Sequence, residues 1–163
     1  KIKIKNEVNS NSTRIGNLSA NVPDTWTGIR PSSSMRLMEF RLGVAADDAT
    51  LAIFKNIGGT IDNNLERWSG QFGYSLSDSE VNIRAENING MQVSIISILG
   101  TYTNTMAFSD ATQPKPNYRL LGAIADTPDG LYYFKLTGPN TVITGRLEEF
   151  TLFIQSLRYD KIG

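Results

Sequence analysis

The chain of 163 residues contains no cysteine and no histidine. Without cysteine it forms no disulfide, no thiolate nucleophile, no iron–sulfur cluster and no cysteine-ligated zinc site. Without histidine it has no side chain whose ordinary pKa lies near neutrality, and no catalytic triad that depends on an imidazole. Carboxylates, amines and neutral polar groups are therefore the candidates for a functional site.

An excess of charge of either sign is also lacking, because 16 basic side chains balance 16 acidic ones. Proteins that bind nucleic acid neutralise several phosphates with a basic surface, so no nucleic-acid partner is predicted. The basic cluster Lys1, Lys3 and Lys5 is interpreted as a solubilising end, with a short edge strand as the alternative. No apolar run approaches the roughly 20 residues that span a bilayer, so the sequence predicts a water-soluble domain without a transmembrane segment.

The length and composition are typical of one folded domain, with 40% hydrophobic and 20% charged residues. We predict a flexible polar N-terminal segment over residues 1–13 and a single α+β domain over residues 14–163. The polar start is typical of a tether that remains after removal of an export signal or a lipid-bearing cysteine. A lipid anchor upstream of Lys1 is therefore a hypothesis, and the bias towards Asn, Ser and Thr favours a periplasmic or cell-envelope location.

Alternating and hairpin-forming segments predict a largely antiparallel sheet of about six or seven strands. A first strand is predicted at residues 14–22, and Trp26 is expected in a loop that folds back into the core. The predicted hairpins pair residues 35–42 with 50–55, 81–88 with 91–99, and 118–125 with 131–137. The strongest signal is Asn89 followed by Gly90, the pair that two-residue type I′ turns prefer.

Two amphipathic helices are predicted to cover this sheet, which gives an α+β sandwich. The first spans residues 60–72, and Thr60 is a suitable N-cap. Its apolar stripe consists of Ile61, Leu65, Trp68 and Phe72. The second begins at Asn140 or Thr141 and carries an apolar stripe over residues 143–157, with the helical period.

Polar residues beside the first stripe form the candidate binding surface. Asn64, Arg67 and Gln71 fall at i, i+3 and i+7, next to Trp68, and this combination can recognise a polar ligand or a protein partner. Ordinary solvated helix surface is the alternative interpretation. The predicted loop at residues 103–117 belongs to the same candidate surface, because loops of that length are often functional. No cofactor and no metal site is predicted, since no phosphate-loop, dinucleotide or calcium-loop motif occurs.

Two other classes of function stay open at this point. A hydrolase would need carboxylates such as Glu39, Asp62 or Glu66 to meet in a cleft, and glycosidases place such a pair about 5–10 Å apart. A structural component of an envelope assembly would instead expose a large apolar patch.

Segments between residues 22 and 157 resemble a group of small bacterial exported proteins. The resemblance rests on VPDTW (22–26), SMRLMEF (34–40), GTIDNNLERW (59–68), QF (71–72), NG (89–90), GTY (100–102), YRLLGAI (118–124) and FKLTGP (134–139). More distantly, the arrangement of helices after hairpins resembles the PsbP and DcrB type of fold, an antiparallel sheet sandwiched by helices. The resemblance implies a non-enzymatic, extracytoplasmic accessory or binding domain of bacterial origin, with an unknown protein or small-molecule partner and no catalytic residue.

Overall fold

The computed structural model describes residues 8–43, 49–103 and 113–160. Over these residues it contains ten strands and three helices. The strands are β1 (Ser10–Ile15), β2 (Leu18–Pro23), β3 (Trp26–Ile29), β4 (Arg36–Leu42), β5 (Ala49–Lys55), β6 (Val81–Ile88), β7 (Met91–Tyr102), β8 (Lys115–Thr127), β9 (Gly130–Pro139) and β10 (Arg158–Tyr159). The helices are α1 (Ile61–Gly70), α2 (Asn140–Gly145) and α3 (Leu147–Gln155).

The main sheet has seven strands in the order β3-β4-β5-β9-β8-β7-β6, and every neighbouring pair is antiparallel. A second sheet of three strands has the order β1-β2-β10. The α+β fold with antiparallel sheets is therefore confirmed, and so are the three predicted hairpins. At the β6–β7 turn Asn89 and Gly90 have φ values of 50° and 88°, the positive angles that a type I′ turn requires.

The N-terminal region differs from the prediction of one strand at residues 14–22. The chain forms the hairpin β1–β2 instead, with Ile15 opposite Leu18 and Gly16 at φ 61° in the turn. Strand β1 begins at Ser10, inside the segment predicted to be flexible, whereas residues 1–7 lie outside the described part of the chain. Trp26 is buried as expected, at 6% exposure, but it opens strand β3 rather than lying in a loop.

Helix α1 covers one face of the main sheet, as its apolar stripe predicts. The Thr60 hydroxyl accepts from the Asn63 backbone N–H at 3.0 Å, and the Asn63 side chain accepts from the Thr60 N–H at 3.2 Å. This reciprocal pair fixes the start of the helix. Trp68 packs directly over Gly122 of β8, where an added Cβ would lie 2.5 Å from the indole ring. A glycine at this position therefore allows the helix to approach the sheet.

The opposite face of the sheet is covered by α2 and α3, where the sequence predicted one continuous helix. The chain breaks at Arg146, whose φ of −111° and ψ of 6° are not helical. Gly145, which precedes the break, weakens the helix through its conformational freedom. Because of the break, Leu147 stays 48% exposed although it belongs to the predicted stripe. The predicted caps are also wrong, since Pro139 holds the N-cap position and no side chain caps α2.

The two covered faces contain separate apolar clusters, one under α1 and one under α2 and α3. In the described residues no helix has the length and apolar character needed to cross a bilayer.

Candidate functional site

The predicted binding surface on α1 lies mostly inside the protein. Asn64, Trp68 and Gln71 are 0%, 1% and 4% exposed, and only Arg67 reaches the surface. Asn64 Nδ2 donates to the backbone oxygens of Gly58 and Thr60, at 3.0 and 2.8 Å. Asn64 and Gln71 are therefore not on an exposed surface as predicted, because their side chains bind at the start of α1 and at the sheet, whereas Trp68 is buried as the apolar stripe predicts. Of the predicted loop at 103–117, residues 104–112 lie outside the described residues and Lys115 already belongs to β8.

Gln71 nevertheless borders a polar pocket, which we call the Lys135 pocket. Its side-chain oxygen accepts a hydrogen bond from Lys135 Nζ at 2.7 Å. The pocket has a cavity volume of about 250 Å³. It is lined by Arg36, Glu39, Thr50, Ala52, Phe54, Tyr102, Lys135 and Thr137. It lies on the α1 face of the main sheet.

Strand register explains why these side chains meet. Glu39 of β4 lies opposite Ala52 of β5, and Ala52 lies opposite Lys135 of β9. Strands are spaced about 4.8 Å apart, so Glu39 and Lys135 stand roughly 10 Å from each other across the small Ala52 side chain. In the next row Thr50 faces Thr137. The pocket thus has a charged group on either side of a floor that includes one alanine and two threonines.

Lys135 is the most perturbed group in the pocket. Burial, together with the positive charges of Arg67 and Arg36, lowers the pKa of Lys135 from 10.5 to about 7. Its ammonium nitrogen also lies 3.5 Å from the Tyr102 hydroxyl and 5.6 Å from the centre of that ring. Within the described residues no carboxylate forms an ion pair with it. An anion that entered the pocket would supply the missing counter-charge.

The carboxylate of the pocket is already neutralised. Glu39, 7% exposed, binds Arg36 at 3.0 Å and accepts from the Ser32 backbone N–H at 2.9 Å. Arg36 in turn lies 5.8 Å from the centre of the Phe54 ring. Because Glu39 is already paired with Arg36, it does not compensate the positive charge of Lys135.

Tyr102 forms an aromatic wall of the Lys135 pocket. Its ring stacks on Tyr118 with centroids 5.8 Å apart and planes 5° from parallel. Burial raises the pKa of the Tyr102 hydroxyl above its ordinary value. The phenol therefore stays protonated at neutral pH and can donate a hydrogen bond as well as accept one.

The carboxylates proposed for a hydrolase do not meet here. Glu39 lies in the Lys135 pocket, whereas Asp62 and Glu66 are exposed on α1 and are not among the pocket's lining residues. Among the described residues no three acidic side chains cluster closely enough to hold a metal ion.

Sequence reasoning missed Lys135 and Arg36. The signal available was a lysine between Phe134 and Leu136 in an apolar strand. A lysine in an interior strand has to place its ammonium in a covered layer. The partners that define the pocket come from β4 and β5, and their register with β9 cannot be read from the local pattern.

Comparison with known proteins gives a fold and no family. No protein-family model matches the chain, and no curated protein sequence matches it.

Three solved structures resemble this one. The solution structure of cyanobacterial PsbP (CyanoP) from Synechocystis sp. PCC 6803 has a TM-score of 0.56 and 14% identity, and the match covers 98% of each chain. PA94 from Pseudomonas aeruginosa, described as a protein of unknown function and putative regulator, has a TM-score of 0.51 and 11% identity, covering 94% of this chain and 99% of that one. The Ran-binding protein Mog1p of Saccharomyces cerevisiae has a TM-score of 0.51 and 7% identity, and the match covers 95% of this chain and 97% of that one. At these identities the likeness establishes a distant PsbP-like fold.

Proposed function

We propose that the protein is a non-enzymatic binding domain that takes a small anionic ligand in the Lys135 pocket. The observation that carries the proposal is a half-buried ammonium beside two arginines, without a carboxylate partner among the described residues. Strongly perturbed groups of this kind are concentrated at functional sites.

The pocket offers suitable hydrogen-bond donors for a carboxylate or phosphate. A lysine ammonium has three N–H donors, and Gln71 and Tyr102 accept two of those of Lys135. The third donor and the hydroxyls of Thr50 and Thr137 are available to a ligand. The cavity of about 250 Å³ is smaller than the pockets of roughly 300–1,000 Å³ that hold drug-sized ligands. We therefore propose a small carboxylate as the ligand class.

The proposal is tested by titrating the protein with acetate, succinate and inorganic phosphate while following the Lys135 side chain by NMR. Binding of an anion stabilises the charged amine, so the pKa of Lys135 should rise on saturation. Lys135→Met should abolish binding. Lys115→Met is the matched control, because Lys115 is exposed and lies outside the pocket lining. Equal binding by wild type and Lys135→Met, or no binding of any of the three anions at millimolar concentration, would refute the proposal.

We also propose that the domain is bacterial and extracytoplasmic, in the periplasm or cell envelope, with a lipid anchor upstream of Lys1 as one means of attachment. The bias towards Asn, Ser and Thr supports the location, and the fold-level likeness to the bacterial proteins CyanoP and PA94 supports the bacterial origin. The sequence that precedes Lys1 in the gene, together with fractionation of cells that produce the full-length protein, tests it. Recovery in the cytosol would count against it.

A protein partner is the second candidate, supported by the fold-level likeness to a Ran-binding protein. Arg67 is the exposed member of the predicted α1 surface. Arg67→Ala should reduce recovery of a partner in pull-down while it leaves the melting temperature nearly unchanged. Unchanged recovery would remove this part of α1 from the interface.

A further inference from the structure

A second cavity lies on the opposite face of the main sheet, between β6, β7 and β8 and the helices α2 and α3. We call it the helix-side cavity, and its volume is about 350 Å³. Its apolar lining comes from Ile95, Leu121, Ile143, Leu147, Phe150 and Ile154. Its polar lining includes Arg84, Glu86, Ser97, Arg119 and Thr151. The two cavities share no lining residue.

Arg119 brings a charge into this apolar surrounding. Its Nε donates to Asn140 Oδ1 at 2.8 Å and its Nη1 donates to Ser97 Oγ at 2.6 Å, so both known partners are neutral. Within the described part of the chain no carboxylate pairs with this half-buried guanidinium. Arginine presents five N–H donors in a planar fork that fits a carboxylate. Donors therefore remain for an acidic group that enters the cavity.

The other arginine of the cavity does not provide such a charge. Arg84 Nε binds Glu86 Oε2 at 2.7 Å. The net charge that a ligand meets in the helix-side cavity is therefore that of Arg119, at one place in a mostly apolar lining.

The break between α2 and α3 contributes to the apolar part of the cavity. Leu147 follows the break and is 48% exposed, although an apolar side chain of this size is usually buried. Phe150 and Ile154, one and two turns further along α3, are buried and line the same cavity. A long hydrocarbon chain placed along this side of α3 would cover Leu147 and gain hydrophobic stabilisation.

We infer that the helix-side cavity binds a single-chain amphiphile with an acidic head group, such as a long-chain carboxylate, with its head at Arg119 and its tail along α3. The choice of occupant follows from charge complementarity. A neutral hydrocarbon would leave the guanidinium without a counter-charge, and a cationic amphiphile would be repelled by it. The inference does not depend on the Lys135 pocket.

Binding of dodecanoate, measured by isothermal titration calorimetry, tests the inference on the complete chain. Wild type should bind dodecanoate more tightly than dodecanol, and it should not bind dodecyltrimethylammonium. Hydrogen bonds to charged groups contribute about 1.5–3 kcal/mol, so Arg119→Gln should weaken dodecanoate binding at least tenfold and leave dodecanol binding unchanged. Arg41→Gln, at an exposed strand arginine outside the cavity lining, is the matched control and should bind as wild type.

A second variant keeps the inference testable if Arg119→Gln fails to fold. Thr151→Trp fills the cavity from α3 and should abolish binding of both dodecanoate and dodecanol, while thermal unfolding reports that the variant is folded. Failure of wild type to bind dodecanoate, equal affinity of wild type and a folded Arg119→Gln, or dodecanoate binding by Thr151→Trp would each overturn the inference. Loss of anion binding by Lys135→Met together with intact dodecanoate binding would show that the two sites are separate.

Discussion

Lys135 places an amine on an interior strand between two apolar residues, Phe134 and Leu136, that are both 0% exposed. Its strand neighbours on either side are Ala52 and Gly122, which are too small to shield or bind the amine themselves. The charged form of Lys135 therefore destabilises the folded state. Such a cost is expected at a position that serves binding rather than stability.

This cost predicts a pH dependence of stability. The pKa of Lys135 is about 7 in the folded protein and 10.5 without the fold, so between these values the unfolded chain binds more protons. Stability contributed by this site therefore rises with pH across that window, by at most about 1.4 kcal/mol per pH unit. Urea unfolding of wild type and Lys135→Met at pH 6.5 and 9.5 measures this dependence. The free energy of unfolding of the variant, compared with that of wild type, should be more favourable at pH 6.5 than at pH 9.5. A difference that does not change with pH would contradict the assigned pKa.

The lack of a side chain at Gly122 also matters for the stability of the fold. An added Cβ would lie 2.5 Å from the Trp68 ring and 3.0 Å from Ile96. Gly122→Ala should therefore destabilise the protein by about 1–3 kcal/mol through overpacking. Gly70→Ala is the control, since Gly70 ends α1 with nothing within 4 Å of its added Cβ, and a better helix former there should raise stability by up to about 1 kcal/mol. Chemical denaturation of both variants measures the difference, and equal stabilities would show that α1 can shift without cost.

At the scale of elements, α3 is joined to β3 by one carboxylate. Glu149 accepts from Trp26 Nε1 at 3.0 Å and from the Thr25 hydroxyl at 2.8 Å, and it pairs with Arg146 at 3.3 Å. The neighbouring Glu148 is exposed and makes none of these contacts. The two adjacent acids thus have different environments, as expected for successive residues of a helix.

Comparing alanine variants of these two acids tests the connection. Glu149→Ala leaves the buried indole N–H without an acceptor and should cost about 1–3 kcal/mol of stability. Glu148→Ala should stay within about 0.5 kcal/mol of wild type. Thermal unfolding with tryptophan fluorescence measures both, because Trp26 is one of the two tryptophans that report on it. Similar losses for the two variants would contradict the role of Glu149.

Prediction from the sequence succeeds for elements whose signals are local. The Asn89–Gly90 turn, the capping residue Thr60 and the stripe through Leu65 and Trp68 all act within a few residues, and the structure confirms each of them. The break at Arg146 was missed because one glycine in a strongly apolar stripe is a weak signal. The Lys135 pocket was missed because Glu39, Ala52 and Lys135 come together only through the register of β4, β5 and β9.

At the scale of the whole molecule, Asp129 connects parts of the chain that are distant in sequence. Its carboxylate pairs with Lys55 at 2.6 Å and accepts from Asn17 Nδ2 at 2.7 Å and from the Tyr132 hydroxyl at 3.1 Å. These partners belong to the end of β5, the β1–β2 turn and β9. One side chain thus links the small sheet to the main sheet.

Acid should weaken this connection. The hydrogen bond from Lys55, followed by that from Asn17, holds the pKa of Asp129 below its ordinary value of 3.8. The stability that this group contributes is therefore present above about pH 4 and is lost as the pH falls through its lowered value. Asp129→Asn should be less stable than wild type at pH 7 and should lose less on acidification. Asp126→Asn, at an exposed position of the same strand pair, should follow the wild-type acid profile, and an unchanged profile for Asp129→Asn would contradict the assignment.

The order of the main sheet determines how its two halves come together. Strands β3, β4 and β5 follow one another, as do β6, β7, β8 and β9, but the halves join where β5 meets β9, with Thr50 opposite Thr137. Hairpins form within about 1–10 μs, whereas a contact between residues so far apart in sequence must first close a long loop. The Lys135 pocket spans this junction, since Ala52 and Lys135 come from opposite sides of it. The pocket therefore exists only once β5 has paired with β9, and a ligand bound there would stabilise the state in which the two halves are joined.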